Sequence, residues 1–548
     1  MTNVGNGPTG QGGLRVGLDS KDSPLRVHIV PHSHCDSGWL KTYTEYYWGD
    51  RQDIQIAGVQ TILNSVVEAL VVNPARRFVF AEMSFFAVWY RQQHEEKKAI
   101  VRRLVSGGQL GFVNGGWVQH DEAASHYVAM IDQTTRGHRF LKEEFGYVPR
   151  IGWQIDPFGH SSVQAGAMGA AMGFDAMFFG RADFEDMKAR KELRQLEFLW
   201  RGTGAGPTTC DMDGMIFTGN FASGNYGPPD GFNFESSVSD TPVQDDTRLR
   251  GFNVDERVDL FVKRCHELAA VTRGDDIMFT MGSDFHYSSA EAWFTNLDKL
   301  IGAVNARFSR DSANSHHHRR IEVFYSTPDQ YVVSKARQAE ASSGRVSYPV
   351  KVDDFFPYAD APAAFWTGYF SSRAASKRYI RSATSFLQAA RQLEAYYGGF
   401  QSRGDTVCIR GTDPLEEAVA LTQHHDSITG TEKQAVADDY HVWLADGMEA
   451  AQEVVAKALA SMLGVEDQER NEAAGADGQD RFVFCPLLNE SRCDFTTGRN
   501  AFTATVYNPT SFRRDIPISV PVGSGTWQVV GPDGQRLDAD TVVSSDVD

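Results

Sequence analysis

Short apolar runs alternate with longer segments of helical periodicity from Leu25 to Tyr325, and this alternation constrains the fold more than any other feature of the sequence. Parallel strands need a crossover connection, usually a helix, so the pattern favours a parallel α/β sheet or barrel. The predicted strands are Leu25–Val30, Arg77–Ala81, Leu110–Val113, Arg150–Ile155, Ala176–Phe179, Ile277–Met281 and Ile321–Tyr325. The predicted helices include Ile54–Val71, Asp255–Val271 and Glu291–Arg307.

The pattern changes at two places. Residues from about Gly202 to Asn253 are rich in Gly, Pro, Asn and Asp, which predicts a long loop region that includes at most a hairpin. Beyond about Val350 three helical segments follow one another with short connections, which predicts a three-helix bundle. These segments are Ser372–Tyr397, Pro414–His424 and Ala437–Leu463.

The last part of the chain has a different composition. Ala501–Val506 and Thr526–Val530 alternate apolar and polar residues between turn signals, which predicts the start of an all-β domain. The predicted organisation is therefore a disordered tail at 1–23, an α/β barrel-like domain at 24–349, a helical bundle at 350–463, a linker at 464–480 and a partial β domain at 481–548.

Composition excludes some partners. The 548 residues carry a formal net charge of -18, which argues against nucleic acid or an anionic membrane as the main partner. Hydrophobic residues make up 41% of the chain, yet none of the apolar runs approaches the roughly 20 residues of a membrane span. Met1–Asp19 lacks the apolar segment of a signal peptide.

Two cysteines suggest a route through an oxidising compartment. Cys485 and Cys493 bracket a short loop that a disulfide could close, although two free thiols explain the spacing equally well. The glycosylation sequon Asn489-Glu490-Ser491 lies inside this loop. Together they point towards a secretory or lysosomal protein.

Polar residues cluster where the predicted elements end. His34 and Asp36 follow the first strand, and imidazole and carboxylate are donors that Zn²⁺ prefers. Asp156 ends the fourth strand and Asp284 follows the sixth, so the carboxyl edge of one parallel sheet would bring these side chains together. Trp39 adds an aromatic face beside the charges, which suggests a polyhydroxylated substrate.

Each of these residues has a simpler explanation. Asp156 and Asp284 could cap the helices that follow them, because Asp favours that position. Trp39 and Trp366 could be ordinary core aromatics. The segment Gln423-His424-His425-Asp426 closes a helix, and only one of its adjacent histidines is expected to face a metal.

The motifs together resemble glycoside hydrolase family 38, the retaining α-mannosidases, most closely the lysosomal-type branch. They occur in family order from about residue 26 to residue 431. Family members usually continue into a longer β-rich C-terminal region than this sequence contains. The matching segments are Pro31–Trp39, Gly115–Val118 with Asp121–Ala123, Trp153–Ser161, Phe179–Arg181, Met281–Phe285, Asp354–Asp360, Phe365–Arg373 and Gln423–Thr431.

The resemblance implies an active site. One Zn²⁺ per chain would be bound by His34, Asp36, Asp156 and His425. Asp156 would also be the nucleophile, and Asp284 the general acid/base. The residues implied to line the sugar subsite are Trp39, Phe158, Arg181, Trp366 and Asp426, with Tyr226 as a looser candidate.

The implied activity is exo-acting hydrolysis of terminal α-D-mannosyl residues on oligosaccharides or N-glycans in a lysosome or another acidic secretory compartment. Self-association into a homo-oligomer is compatible with the sequence. Two other classes stay open: a metal-dependent hydrolase of another bond, such as a sugar deacetylase, and a non-catalytic mannose-binding protein. A carboxylate nucleophile would distinguish the α-mannosidase from a hydrolase of another bond. Catalytic turnover would distinguish it from a non-catalytic mannose-binding protein.

Overall fold

The computed structural model describes residues 23–170, 172–202, 214–236, 239–309, 319–342, 346–397, 411–464, 482–485, 492–540 and 542. The chain divides into two compact units, residues 1–384 with 416–444 and residues 385–415 with 445–548. The predicted tail and linker, and the sequon at Asn489, lie wholly or almost wholly outside the described residues.

The described strands are short, and most of them are buried. They are β1 Leu25–Pro31, β2 Phe78–Phe80, β3 Leu110–Phe112, β4 Ile151–Gln154, β5 Ala176–Phe179, β6 Glu197–Arg201, β7 Met215–Asn220, β8 Asp276–Met281, β9 Ile321–Tyr325, β10 Val350–Lys351, β11 Val529–Val530 and β12 Arg536–Leu537.

The described helices account for most of the regular structure. They are α1 Tyr43–Trp48, α2 Val59–Val72, α3 Met83–Arg91, α4 Glu95–Ser106, α5 Tyr127–Phe145, α6 Phe184–Leu193, α7 Val254–Val271, α8 Ala290–Arg307, α9 Pro328–Ala341, α10 Ala374–Tyr397, α11 Asp413–Leu421, α12 Gln434–Leu463 and α13 Asp494–Thr497. A π-helix at Gln164–Ala170 and a 3-10 helix at Thr367–Phe370 complete them.

Parallel pairing dominates the first unit. β1 lies between β8 and β9 and is parallel to both, with Val27 opposite Ile277 and Val323. A second sheet has the order β10-β6-β7-β5-β4, and β2 pairs with β3. Strands covered on both faces are nearly continuous apolar runs, which is what Leu25–Pro31 shows. The prediction of a mixed α/β architecture with parallel strands is confirmed.

The prediction of a long loop region after Gly202 was wrong in part. Met215–Asn220 forms β7, which is parallel to β5 and antiparallel to β6. Neither β6 nor β7 was predicted. Turn-forming residues surround β7, and its own Gly and Asn weaken the apolar pattern from which strands are predicted. β6 ends at Arg201, before the predicted loop region begins, and residues 203–213 between the two strands lie outside the described part of the chain, so the antiparallel pair is not the hairpin expected within Gly202–Asn253.

The core of the first unit holds the strand ends in place. Trp89, Trp117 and Trp293 are fully buried in it. α2 and α8 contribute apolar faces to the same core, which also covers β1. The helix predicted from Ile54 begins later, at Val59, after an irregular segment. The carboxyl ends of β1 and β8 are consequently held side by side.

The second unit has less regular structure. Val529–Val530 pairs with Arg536–Leu537 in an antiparallel ladder, whereas the predicted strand Ala501–Val506 forms no strand in the structure. Cys485 and Cys493 form a disulfide, which was one of the two alternatives.

Within the described ranges, no helix combines the length and the apolar content needed to cross a membrane.

Candidate metal centre and active site

The loops that follow β1 and β8 are joined through their backbones. The His34 N–H donates to the Ser283 carbonyl at 3.2 Å, and the Phe285 N–H donates to the His34 carbonyl at 2.8 Å. These bonds place Asp284 directly beside His34. The two strands are parallel neighbours, so both loops leave the sheet at the same edge.

The turn after Asp284 has an unusual backbone. Phe285 and Tyr287 have φ values of 53° and 74°, a region that side-chain-bearing residues rarely adopt. The Phe285 ring stacks on Tyr46 at 4.3 Å, and the Tyr287 hydroxyl donates to the Met281 carbonyl at 2.7 Å. Packing therefore holds a strained turn that orients Asp284, as is common at functional sites.

Asp156 lies just beyond the carboxyl end of β4. The turn that follows it needs a glycine, because Gly159 has a φ of 117° and a Cβ there would collide with the Phe356 ring. The His160 N–H and carbonyl pair with the backbone of Phe355. The Pro-Phe-Gly segment is thus fixed between Asp156 and the neighbouring loop.

His424 and His425 follow α11 in the chain. The Nδ1 of His425 donates to the Gln119 carbonyl at 2.8 Å, which leaves its Nε2 directed at two carboxylates. That Nε2 lies 3.3 Å from Asp36 Oδ1 and 3.4 Å from Asp156 Oδ2, and it has no hydrogen-bond partner among the described residues. His425, rather than His424, therefore faces both carboxylates.

Four of the predicted residues form one donor cluster. His34, Asp36, Asp156 and His425 are buried, and each offers a ligand atom within 4.8 Å of the others. The His34 Nε2 lies 2.8 Å from Asp36 Oδ1 and 3.8 Å from Asp156 Oδ2. Two imidazoles and two carboxylates converging on one point fit a Zn²⁺ ion.

A second, overlapping set of donors lies beside it. Asp36, His424, His425 and Asp426 also offer ligand atoms within 4.8 Å of one another. His424 Nε2 is 3.7 Å from Asp36 Oδ1 and 3.5 Å from Asp426 Oδ2. Asp426 additionally accepts a hydrogen bond from the Thr431 hydroxyl at 2.7 Å. His425 thus belongs to both sets of donors, whereas His424 belongs only to the second.

Asp156 is held in the ionised state. Its Oδ1 accepts a hydrogen bond from Arg181 Nε at 2.7 Å. Burial alone would raise the pKa of this carboxyl, but the Arg181 guanidinium and the neighbouring imidazoles outweigh it and lower the pKa to about 2. A carboxylate that stays charged is suited to act as a ligand or as a nucleophile.

Asp284 has the opposite tendency. Burial raises the pKa of Asp284 to about 6, and the charges of nearby carboxylates act in the same direction against the opposing effect of His34. The Tyr226 hydroxyl donates to Asp284 Oδ1 at 2.5 Å. Two carboxyl groups with displaced pKa values in opposite directions are the arrangement expected of an acid and a nucleophile.

Aromatic rings line one side of the cluster. Phe158 lies edge-to-face with His425 at 6.1 Å and contacts Trp366 at 5.0 Å. The Arg181 guanidinium lies 5.0 Å from the Trp366 ring centroid, and its Nη1 contacts the Tyr358 hydroxyl at 3.5 Å. Such faces suit the C–H groups of a sugar ring.

The other residues singled out in the sequence have assigned places. Trp39 is partly buried against the main core, and its carbonyl accepts from the Lys433 N–H at 3.0 Å. The His32 Nε2 lies 3.0 Å from the Tyr226 carbonyl, and the His160 Nδ1 lies 2.9 Å from Glu122 Oε1. Cys35 is buried, and burial raises the pKa of its thiol, as expected for an inert residue.

Sequence reasoning missed two residues that contact the donors. Glu82 and Gln119 lie behind His34, with the Gln119 Nε2 3.0 Å from His34 Nδ1. Both follow strands, β2 and β3, as His34 follows β1. The same strand-end rule would have drawn attention to Glu82, whose motif Ala81-Glu82-Met83 offered no other signal.

The sequence has clear relatives. A probable alpha-mannosidase from Arabidopsis thaliana is 43% identical over 547 residues, 98% of this chain and 49% of the relative. The lysosomal alpha-mannosidase of Bos taurus is 44% identical over 536 residues, 96% of this chain and 50% of the relative. The chain thus spans about half the length of the curated relatives it matches.

A solved structure supports the fold. The crystal structure of an alpha-mannosidase from Enterococcus faecalis superposes with a TM-score of 0.57 at 16% identity, over 80% of this chain and 43% of that one. Two family models match the sequence, glycosyl hydrolases family 38 N-terminal domain at residues 24–361 and alpha mannosidase middle domain at residues 364–462. The chain belongs to glycosyl hydrolase family 38.

Proposed function

We propose that this protein is a retaining, Zn²⁺-dependent, exo-acting α-mannosidase that removes terminal α-D-mannosyl residues from oligosaccharides or N-glycans. The observation that supports this most directly is the pair Asp156 and Asp284, whose pKa values are displaced to about 2 and about 6 beside a cluster of metal donors. Relatives named alpha-mannosidase that match nearly the whole chain support the substrate class.

The proposed ligands of one Zn²⁺ are His34, Asp36, Asp156 and His425. Their atom types and burial fit the ion, and the His425 Nε2 has no hydrogen-bond partner in the described ranges of the chain. The surroundings also favour a cation, because Glu82 and Asp426 add further negative charge around the cluster. When bound, the ion would act as a Lewis acid towards substrate hydroxyl groups.

In the first step, Asp156 attacks the anomeric carbon of the mannosyl residue. A carbon–oxygen bond forms between the carboxylate and the sugar, while the bond to the aglycone oxygen breaks. Asp284 transfers its proton to that departing oxygen, so the aglycone leaves as an alcohol. Arg181 holds the Asp156 carboxylate in place through its hydrogen bond to Oδ1.

In the second step, Asp284 is a carboxylate and takes a proton from water. The water oxygen attacks the same anomeric carbon, and the bond between the sugar and Asp156 breaks. Mannose is released with its original configuration, because the carbon is inverted twice. Asp284 has regained its proton and Asp156 its charge, so the enzyme is restored.

The proposed sugar subsite combines aromatic and polar groups. Phe158 and Trp366 would pack against the sugar ring, and Trp39 is proposed to lie on another side of it. Arg181 and Asp426 would donate to and accept from hydroxyl groups. Trp366 and Arg181 already contact each other, which supports their placement in one subsite.

Finer features of the architecture are part of the same proposal. The parallel strands of residues 24–349 would form a barrel-like catalytic domain, the helices of 350–463 a three-helix bundle, and residues 481–548 part of a β domain. An acidic secretory compartment such as the lysosome fits an acid whose pKa is about 6. Light scattering of the purified protein tests whether it self-associates.

The decisive experiment measures release of an aryl alcohol from an aryl α-D-mannoside by the purified full chain. Chelation should abolish turnover and Zn²⁺ should restore it. A fluorinated mannosyl inhibitor that traps the sugar on the nucleophile should label Asp156, identified by peptide mapping. Hydrolysis of the aryl mannoside without labelling of Asp156 would contradict the assignment of Asp156 as the nucleophile. A sugar deacetylase, which acts through an activated water, would release acetate from acetylated sugars and leave Asp156 unlabelled.

The adjacent histidines provide a matched pair of variants. His425→Ala should reduce the Zn²⁺ bound per chain, because it removes a ligand whose Nε2 faces both Asp36 and Asp156. His424→Ala should retain the metal. Loss of the metal in both variants would instead assign the ion to the second set of donors, Asp36, His424, His425 and Asp426.

A further inference from the structure

We infer that Glu82, held by Gln119, is a positioning residue that fixes the His34 imidazole for metal binding. The inference rests on the proposed function only in that His34 is taken as a ligand. Glu82 itself would not touch the metal or the substrate. Its effect would be transmitted through the Nδ1 side of the His34 ring, which faces away from Asp36 and Asp156.

Glu82 is an unusual residue to find at this position. Its side chain is 0% exposed, and it occupies the N-cap of α3 without accepting the hydrogen bond that a cap usually accepts. Among the described residues, its ion-pair partner is His34, whose Nδ1 lies 3.4 Å from Glu82 Oε1. Burying a carboxylate is costly, and among the described residues Glu82 Oε2 has no hydrogen-bond partner. The pairing of Oε1 with His34 offsets part of that cost.

The geometry around Nδ1 allows one acceptor. A neutral imidazole that offers its Nε2 lone pair to a cation has its only N–H at Nδ1. The two groups near that atom are Gln119 Nε2 at 3.0 Å, a donor, and Glu82 Oε1. Of these two described groups, Glu82 is the one that can accept the Nδ1 hydrogen. Its carboxylate therefore favours the ring form and the ring orientation in which Nε2 faces the other ligands.

Gln119 explains why Glu82 stays in place. Its side-chain Nε2 donates to Glu82 Oε1 at 2.6 Å, while its Oε1 accepts from the Ile155 N–H at 3.0 Å. These two bonds fix the orientation of the amide. The backbone carbonyl of Gln119 also accepts from His425 Nδ1 at 2.8 Å. Gln119 thus holds the Glu82 carboxylate beside His34 and the ring of His425. It also holds the backbone of Ile155, the residue before Asp156.

The two proposed histidine ligands are consequently oriented by different kinds of acceptor. A main-chain carbonyl orients His425, and substitution of a side chain cannot remove it. A carboxylate side chain orients His34, and the isosteric change Glu82→Gln removes its charge with little change of shape. The effect of Glu82 on metal affinity can therefore be measured without changing the contact that orients His425.

The experiment measures Zn²⁺ affinity of the full chain by competition with a chromophoric chelator, without any activity assay. Glu82→Gln should weaken binding by about 10- to 100-fold, the range found when partners of metal-binding histidines are removed. The matched control is Asp276→Asn, which removes another buried carboxylate paired with a histidine, His28, and should leave the affinity unchanged.

A double substitution separates positioning of His34 from a general effect of charge. In a His34→Ala background, Glu82→Gln should cause no further loss of affinity, because the ring on which it acts is gone. An equal loss in both backgrounds would overturn the inference, since it would show that only the negative charge matters. Unchanged affinity in the single variant would overturn it as well.

Folding is monitored by thermal unfolding of each variant. If Glu82→Gln does not fold, Glu82→Asp keeps the charge and withdraws the carboxylate by one methylene group, and an affinity several-fold weaker is expected. Wild-type affinity in that variant would overturn the inference. Failure of the proposed metal site is distinguishable, because the unaltered protein would then bind no Zn²⁺. Failure of the α-mannosidase activity alone would appear in the turnover assay and leave these affinity measurements unchanged.

Discussion

Two buried histidine clusters in the first unit contain similar residues but differ in how completely their polar atoms are paired. Around His28, Nδ1 lies 2.7 Å from the Ser326 hydroxyl and Nε2 lies 2.9 Å from Asp276 Oδ1. Asp276 also accepts from the Ser334 hydroxyl at 2.8 Å. The order serine, histidine, aspartate resembles a catalytic triad, yet Ser326 is fully buried and each of these groups has its partner.

Around His34 and His425 the pairing is incomplete. Within the part of the chain that the structure describes, His425 Nε2, both nitrogens of His424 and one oxygen of Glu82 have no hydrogen-bond partner. Several carboxylates crowd the same space, where repulsion between them is a cost. A cluster whose polar atoms form hydrogen bonds with one another stabilises the fold. Polar atoms that converge on one point without hydrogen-bond partners indicate the site of a bound ligand. Residue types alone do not distinguish the two.

The largest expected effect is that of Asp156→Ala. Turnover of an aryl α-mannoside should fall by roughly 10⁴-fold or more, as is usual when a nucleophile is removed. Zn²⁺ binding should weaken too, because the same carboxylate belongs to the donor cluster. Turnover is measured alongside Asp276→Asn, which should remain active when corrected for folded protein. Near-normal turnover of Asp156→Ala would refute the assignment.

Asp284→Asn should lower turnover by about 10²- to 10⁴-fold and leave the metal content unchanged, because Asp284 is not among the four proposed ligands. The loss should be smaller for a substrate with an acidic aglycone, which departs without protonation. Metal content is measured by mass spectrometry and turnover with two aryl mannosides. Equal losses with both substrates would argue against a role as the general acid.

Stability should change in opposite directions in the two clusters. Asp276→Asn should lower the free energy of unfolding by about 2–3 kcal/mol, because it breaks the buried pair with His28. Asp284→Asn should raise it at pH 7 by about 1 kcal/mol. Burial raises the pKa of Asp284 to about 6, so this carboxyl lowers the free energy of unfolding progressively as the pH rises from about 4, the ordinary carboxyl range, to about 6.

Denaturant unfolding of metal-free protein at pH 5 and pH 7 measures both effects. The gain from Asp284→Asn should be smaller at pH 5, where the carboxyl of the unaltered protein is largely protonated in the folded state. A loss of stability in Asp284→Asn at pH 7 would mean that its polar atoms are as well paired as those of Asp276.

Much of this arrangement was predictable from sequence. Leu25–Val30 and Ile277–Met281 match β1 and β8 within one residue at either end. Once those strands are parallel neighbours, His34 and Asp284 must lie at the same edge of the sheet. β7 was missed because Gly and Asn dilute its apolar pattern, although its neighbour β5 was predicted with the correct bounds.

Side-chain partners from distant segments were not predictable. The adjacent residues His424 and His425 are equivalent in the sequence, and the Gln119 carbonyl, 306 positions away, is what orients His425. The partners of Glu82 likewise depend on packing between the ends of β2 and β3. Local patterns encode where an element ends, whereas the pairing of buried polar groups depends on the complete fold.

The smallest expected effect concerns pH. Asp284 must be protonated in the first step, and its pKa is raised to about 6. Turnover should therefore decline as the pH rises through about 6, with roughly tenfold loss per unit above it, and the optimum should be acidic. The Tyr226 hydroxyl donates to the Asp284 carboxylate and stabilises its charged form. Tyr226→Phe should shift the alkaline limb upward by about 0.5–1 unit. An optimum above about pH 7.5 would mean that another group is the acid.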